Sequence, residues 1–134
     1  MLRRAPRTEA ELEHRLIALG YRRDTAAAAV ARCRELRWVG DAAFAAERAR
    51  ALRTRGAGSL RIEAELAARG VPDAFVAAAV EGSREGEPER EWARRALGRL
   101  AGALGDPRVR GRAWRLLAAR GFSEDVLVDL LGEG

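Results

Sequence analysis

The chain has 134 residues, which is enough for one domain or a short repeat array. Its 25 basic residues are all arginine and its acidic residues number 20, so the formal net charge of +5 favours nucleic-acid or acidic protein partners. A single cysteine, Cys33, excludes an internal disulfide, and a single histidine, His14, argues against a zinc site. No apolar run reaches the roughly 18 residues of a membrane span, and none near Met1 resembles a signal peptide. We therefore expect a cytoplasmic protein without a metal or another cofactor.

The composition also predicts the fold class. Alanine supplies 29 of the 64 apolar residues, so only 35 larger side chains are available for a core. Alanine is the strongest helix former but buries little area. Since Val and Ile number only eight and two, we expect an all-α protein.

The first 57 residues of the chain contain three predicted helices. The first opens with a capping box, Thr8 and Glu11, and ends at Gly20, where a left-handed backbone costs glycine little. A second helix follows almost at once. Gly40 and Asp41 predict a break and an N-cap, after which a third helix carries its apolar residues at helical spacing: Phe44, Ala45, Ala49 and Leu52.

The rest of the chain repeats this order. One helix ends at Gly70, and Pro72 marks the start of the next. After a break before Pro88, a further helix is predicted from the apolar stripe Ala93, Leu97, Leu100 and Leu104. Another helix ends at Gly121, and Ser123 begins the last one.

An internal period joins these units. Gly20, Gly70 and Gly121 lie 50 and 51 residues apart, and apolar residues align around them in three columns: Leu16, Leu66 and Leu117; Tyr21, Val71 and Phe122; Val30, Val80 and Leu131. The period predicts repeats over residues 1–57, 58–104 and 105–134, the last with two helices. Each repeat has about a dozen larger apolar side chains, so we expect neighbours to share buried surface in an elongated, curved array.

Several stretches resemble the RecX family, and together they cover about residues 8 to 131. The quoted motifs, in chain order, are Thr8-Glu9-Ala10-Glu11-Leu12, Trp38-Val39-Gly40-Asp41-Ala42-Ala43-Phe44-Ala45, Arg55-Gly56-Ala57-Gly58-Ser59-Leu60-Arg61-Ile62-Glu63-Ala64-Glu65-Leu66, Gly70-Val71 and Arg120-Gly121-Phe122-Ser123. Two departures stand out. Ser59 replaces a proline that is common in the family, and fewer residues precede Thr8 than in many members, so we expect contacts of that segment to be missing or shortened to Leu2-Arg3-Arg4.

The resemblance implies a function. RecX proteins regulate the bacterial recombinase RecA, so a member is expected to be non-enzymatic and to lie along the groove of the RecA–DNA filament. There it would bridge protomers and restrain ATP hydrolysis, strand exchange or filament growth, with inhibition as the expected direction. Roles in recombination, DNA repair and the SOS response follow. We expect a monomer whose partner is the RecA filament on single-stranded DNA.

Arginines are the candidate binding residues. On a helical wheel Arg108, Arg112 and Arg115 form one stripe beside an apolar face, so their guanidinium groups can meet phosphates or carboxylates. The further candidates are Arg48, Arg55, Arg61, Arg95, Arg99 and Trp92. On a helical wheel Trp92, Arg95 and Arg99 share one face of their predicted helix. On the earlier helix Arg48 and Arg55 share one face, and Arg50 and Arg53 share another. The alternative for the arginines is an ordinary solvated surface in a chain without lysine. For Trp92, packing on a neighbouring repeat is the favoured interpretation.

Two other functions are weighed against RecA regulation. The charge and the three-helix units also suit a helical protein that binds DNA directly, which would bind naked DNA strongly and with a steep salt dependence. An enzyme is disfavoured because no nucleophile with a base and no metal-ligand set can be found. His14 reads as surface, and the acidic run Glu81, Glu85, Glu87, Glu89 and Glu91 reads as solvated residues at a helix start.

Overall fold

The computed structural model describes residues 9–132, without the side chains of Glu9, Trp38 and Val39. This range contains seven α-helices and one 3-10 helix: α1 (Glu9–Ala18), α2 (Arg23–Thr54), α3 (Ser59–Ala68), α4 (Asp73–Ser83), α5 (Glu89–Leu97), the 3-10 helix (Gly98–Ala103), α6 (Pro107–Ala119) and α7 (Glu124–Leu131). No strand occurs between residues 9 and 132, and the all-α prediction is confirmed. The capping residue Thr8 and the Leu2-Arg3-Arg4 segment lie outside the described residues.

The three glycines of the sequence period end their helices in the same way. Their φ angles are +103° at Gly20, +82° at Gly70 and +94° at Gly121. The next residue in each case donates its backbone N–H, over 3.1 Å, to the carbonyl five positions earlier, in the pairs Tyr21–Leu16, Val71–Leu66 and Phe122–Leu117. This geometry satisfies carbonyls that the helix leaves without partners. The alignment on these glycines is therefore confirmed at the level of the backbone.

The chain divides into two compact units, residues 1–40 and 41–134. In the first unit Ala26 and Val30 are buried, while Leu12 and Leu16 are half-buried. The second unit contains two separate apolar cores. Residues of α2 from position 41 onward, α3 and α4 form the first core (Ala45, Ala49, Leu52, Ala57, Ile62, Leu66, Val71, Val76, Ala79 and Val80), and α5, α6 and α7 form the second (Ala93, Leu97, Ala113, Leu117, Phe122, Leu127 and Leu131).

We call residues 41–83 module I and residues 89–131 module II. The period relates the two cores, because Ile62, Leu66 and Val71 align with Ala113, Leu117 and Phe122 and all six are buried. Each module takes helices from two of the predicted segments 1–57, 58–104 and 105–134, so the limits of the modules differ from those of the segments. Those segment boundaries stay a prediction about the sequence repeat.

Two predicted helix boundaries are wrong. The expected break at Gly40 and Asp41 is absent, since α2 runs unbroken from Arg23 to Thr54. A single glycine inside a helix costs only about 1 kcal/mol, which the surrounding helix-forming residues offset. Conversely, the stripe from Ala93 to Leu104 does not lie on one α-helix, because α5 ends at Leu97 and Gly98 takes a φ of +57°.

Module II closes the beginning of α3. Three consecutive amides there, Gly58, Ser59 and Leu60, have no acceptor within their own helix. The Gly58 and Leu60 amides donate to the carbonyls of Arg120 and Gly121 over 2.9 Å each, and the Ser59 amide donates to the Glu89 carboxylate over 2.8 Å. The acceptors belong to the end of α6 and the start of α5. Module II therefore supplies the hydrogen-bond acceptors for the first turn of α3.

Candidate arginine surfaces

Three exposed arginines follow one face of α6. Pro107 begins this helix, and the Asp106 carboxylate caps it by accepting the Arg108 amide over 2.9 Å. The side chains of Arg108, Arg112 and Arg115 are exposed. Since they stand at i, i+4 and i+7, the stripe is about 10 Å long. Within residues 9–132 no carboxylate forms an ion pair with these guanidinium groups. We call these three residues the α6 stripe.

Arg48 is already engaged by a carboxylate of its own module. Its Nε and Nη2 donate to Glu65 Oε2 and Oε1 over 2.6 and 3.2 Å. These hydrogen bonds lower the pKa of Glu65 and raise the pKa of Arg48. The predicted binding residue Arg48 is therefore held in place by a bidentate ion pair. Its side chain also lines a surface recess.

Arg55, Arg61 and Arg120 meet where the two modules join. Arg55 directly follows α2, Arg61 lies on α3, and Arg120 caps the C-terminus of α6. Arg120 Nη1 donates to the Arg55 carbonyl over 3.4 Å. Two recesses, of about 350 Å³ and about 440 Å³, share Arg55 and Arg120, and Arg61 lines the first. We call these three residues the junction cluster.

Trp92 and Arg95 form a stacked pair at the edge of the larger recess. The Arg95 guanidinium lies 4.7 Å from the centre of the Trp92 ring, a cation–π distance. Arg95 also pairs with Glu87 over 2.5 Å, and this hydrogen bond lowers the pKa of Glu87. The Trp92 indole N–H donates to the Arg84 carbonyl over 2.9 Å, and the ring is half-buried against the core of module II. The Trp92 ring therefore packs within its own module, and its role as a binding residue stays a prediction.

Arg99 is separated from that pair. It was expected on one helical face with Trp92 and Arg95, but α5 ends at Leu97 and Arg99 lies exposed on the 3-10 helix. Helical-wheel angles therefore do not carry across Gly98. His14 is exposed, as expected for a surface residue.

A buried ion pair lies beneath the larger recess. The Arg53 side chain is only 1% exposed, and its Nη1 pairs with Glu89 Oε1 over 3.0 Å. The Ser83 and Ser59 hydroxyls accept further hydrogen bonds from Arg53, over 3.1 and 3.0 Å. Burial by itself raises the pKa of Glu89, but hydrogen bonds from Ser59 and the charge of Arg53 outweigh it and leave that pKa lowered. Glu89 is thus a structural residue, and its assignment to a solvated acidic run is wrong.

Sequence reasoning missed Arg120 as a site residue. Arg120 directly precedes Gly121 in the quoted motif, which marks it only as part of a helix end. The structure shows that Arg120 lines two recesses. One signal was available, because the residue before the repeated glycine is arginine at both position 69 and position 120. Arg69 contacts the Phe44 ring at 5.5 Å.

Other site types find no support among the described residues. In residues 9–132 no group of three His, Cys, Asp or Glu side chains is placed to hold a metal ion. Over the same range, no helix has both the length and the apolarity needed to cross a bilayer.

Comparison with known proteins identifies relatives of the whole chain. A family model for the second three-helix domain of RecX matches residues 41–80, which fall within module I. The regulatory protein RecX of Chromohalobacter salexigens is 36% identical over 126 residues, covering 91% of this chain and 80% of that protein. That of Stenotrophomonas maltophilia strain K279a is 37% identical over 127 residues, with 93% and 77% covered. That of Chromobacterium violaceum is 32% identical over 134 residues, with 100% and 86% covered.

These relatives extend over both modules and the first unit, and the family model falls on a three-helix module of the fold. The chain belongs to the RecX family of regulatory proteins.

Proposed function

We propose that this protein is a non-enzymatic modulator of RecA that lies along the groove of the RecA–DNA filament, bridges protomers and inhibits the filament. In this role it acts as a cytoplasmic monomer in recombination, DNA repair and the SOS response. Membership of a family of regulatory proteins supports the general role. The observation that carries the binding mode is the α6 stripe, three exposed arginines without an ion pair in the described part of the chain.

The α6 stripe suits a repetitive, acidic surface. Arginine presents several N–H donors in a fixed planar arrangement that matches carboxylate and phosphate oxygens. Because the three arginines of the stripe lie on one helix, their charges are aligned, while Ala113 and Leu117 bury the opposite face in the core of module II. A filament offers the same acidic groups at regular intervals, so one rigid stripe can engage it without rearrangement.

The RecA ATPase on single-stranded DNA tests this proposal. Increasing amounts of the wild-type protein should slow ATP hydrolysis. A variant with Arg108, Arg112 and Arg115 changed to Glu should lose at least about tenfold in potency, since each lost charged contact is worth about 1.5 kcal/mol or more. The control changes Arg23, Arg37 and Arg50 to Glu, which are exposed arginines of α2. The control variant has the same net charge as the stripe variant, and its potency should stay within about threefold of the wild-type potency.

Circular dichroism should show equal helicity in both variants. No effect of the wild-type protein at stoichiometric excess would contradict the function. Equal potency of the stripe variant and the wild type would instead show that the α6 stripe is ordinary surface.

The same stripe could contact DNA phosphates, which keeps direct DNA binding as the second candidate. Co-sedimentation with filaments and with free single-stranded DNA separates the two. A filament modulator binds the RecA–DNA complex much more tightly than DNA alone. A DNA-binding protein binds naked DNA tightly, and that affinity falls steeply with salt.

A further inference from the structure

The junction cluster is a second basic site with a different construction from the α6 stripe. Its three arginines come from three elements and two modules, and the Arg120 guanidinium lies against Gly56. A side-chain carbon at Gly56 would collide with Arg120 Nη1. The glycine thus leaves the space in which Arg120 can turn toward Arg55.

Charge is unbalanced at this point. The smaller recess is lined by four arginines, Arg48, Arg55, Arg61 and Arg120, but by a single carboxylate, Glu65. Arg48 takes that carboxylate with two hydrogen bonds. In the described part of the chain no ion pair within 4.0 Å involves the guanidinium of Arg55, Arg61 or Arg120. The recess is therefore short of negative charge.

The surroundings favour a carboxylate over a chain of phosphates. Glu65 lies in the smaller recess and Glu87 holds Arg95 at the larger one, so fixed negative charges stand near both. A nucleic-acid strand carries a charge about every 3.4 Å and would bring several phosphates close to these glutamates. A single acidic side chain that enters the smaller recess can reach Arg55, Arg61 and Arg120, whose guanidinium groups form no ion pair within residues 9–132. Fixed charges of the same sign as the unwanted partner are a usual source of specificity.

We propose that the junction cluster binds one Asp or Glu side chain from an acidic segment of a protein partner. The inference rests on the proposed function for the identity of that partner, the RecA protomer within the filament. The two basic surfaces then differ in role. The α6 stripe, whose guanidinium groups form no ion pair within residues 9–132, suits a row of charges, and the junction cluster fixes the register by accepting a single carboxylate.

Direct binding of two probes to the protein tests the assignment without RecA. The probes are a fluorescein-labelled hexaglutamate peptide and a labelled oligothymidylate of equal charge, followed by fluorescence anisotropy at low salt. The variant Arg55→Gln/Arg61→Gln removes two exposed side chains of the junction cluster. The control Arg37→Gln/Arg50→Gln removes the same charge from the exposed surface of α2.

The junction variant should bind hexaglutamate about tenfold more weakly, as expected for the loss of charged hydrogen bonds, and oligothymidylate within about twofold of wild type. The control should bind both probes within about twofold of wild type. The proposal is overturned if the junction variant loses oligothymidylate affinity as much as hexaglutamate affinity, or keeps its hexaglutamate affinity. Arg120→Gln offers a second variant with the same expectation, because its backbone carbonyl, which caps α3, is retained.

Filament binding separates this proposal from the proposed function. If the wild type leaves the RecA ATPase unchanged while the peptide result holds, RecA is the wrong partner and the carboxylate site stands. If the wild type inhibits RecA and the junction variant inhibits equally well, the carboxylate site is wrong and the function stands.

Discussion

Arg53 shows how one side chain can serve packing instead of recognition. Its guanidinium is buried and reaches Glu89 and Ser83, so it joins α2 to the start of α5 and the end of α4. Ionised groups of this kind are stable inside a protein only when paired and hydrogen-bonded. Arg50, three residues earlier on the same helix, is exposed.

Replacing Arg53 should therefore be costly. The change Arg53→Met removes one of the two guanidinium groups that pair with the largely buried Glu89 carboxylate, the other being Arg84, and we expect a loss of about 3 kcal/mol in the free energy of unfolding. Arg50→Met should change it by no more than about 0.5 kcal/mol. Urea denaturation followed by circular dichroism measures both values. Equal stabilities of the two variants would show that the buried pair contributes nothing.

Glu89 should make part of the stability depend on pH. Because its pKa is lowered in the folded protein, its contribution is complete at neutral pH. The contribution starts to disappear as the pH falls below the ordinary Glu value of about 4.3, and it is gone below the lowered pKa of the folded state. The difference in unfolding free energy between wild type and Glu89→Gln should therefore shrink between pH 5 and more acidic conditions. A difference that stays constant with pH would contradict this assignment, and the other glutamates cancel in the comparison.

The environment of Arg53 could not be predicted from the sequence. A helical wheel predicts that Arg53 and Arg50 lie on one face of their helix, but it contains no information about contacts with other helices. Burial of Arg53 depends on Glu89 and Ser83, which are more than twenty-five residues away in the chain. The contacts of Ser59 could not be predicted either, because both its amide and its hydroxyl donate to the distant Glu89. A proline at this position would lack the amide N–H.

The helix ends at the repeated glycines share one backbone conformation but differ in their surroundings. Gly70 and Gly121 both need a positive φ, but their surroundings differ. A side-chain carbon at Gly70 would meet open space, whereas one at Gly121 would collide with the backbone and Cβ of Arg61. One glycine is needed for conformation alone, and the other also for the approach of two helices.

This difference gives a matched pair of variants. Gly70→Ala should destabilise the protein by about 1–2 kcal/mol, the usual cost of a left-handed backbone for a residue with a Cβ. Gly121→Ala should cost about 2 kcal/mol more, because the collision with Arg61 would push α3 away and break the hydrogen bond from the Leu60 amide to the Gly121 carbonyl. Urea unfolding of the two variants measures the difference. Equal losses would mean that the modules do not depend on this close approach.

The sequence predicted helix ends well where glycine has a positive φ and an apolar residue follows. Gly20, Gly70 and Gly121 meet both conditions. It failed at Gly40 and at Gly98, which are alike as single glycines within helix-forming sequence. The first stays helical and the second ends its helix. The local sequence pattern does not distinguish these two glycines.

The net charge of +5 does not distinguish the different environments of the arginines that the structure describes. Arg53 is buried, Arg48 and Arg95 are paired on the surface, and the α6 stripe and the junction cluster are basic without ion pairs in the described range. The stripe could be found from sequence because its members share one helix. The junction cluster could not, since Arg55 and Arg120 are 65 residues apart and meet only through the contact between modules.

The capping of α3 by module II has a consequence for synthesis on the ribosome. The amides of Gly58 and Leu60 are made about sixty residues before the carbonyls that accept their hydrogen bonds. At about 5–20 residues per second, translation leaves these amides to water for about 3–12 s. The first turn of α3 is thus closed only by residues that are synthesised about sixty positions after it.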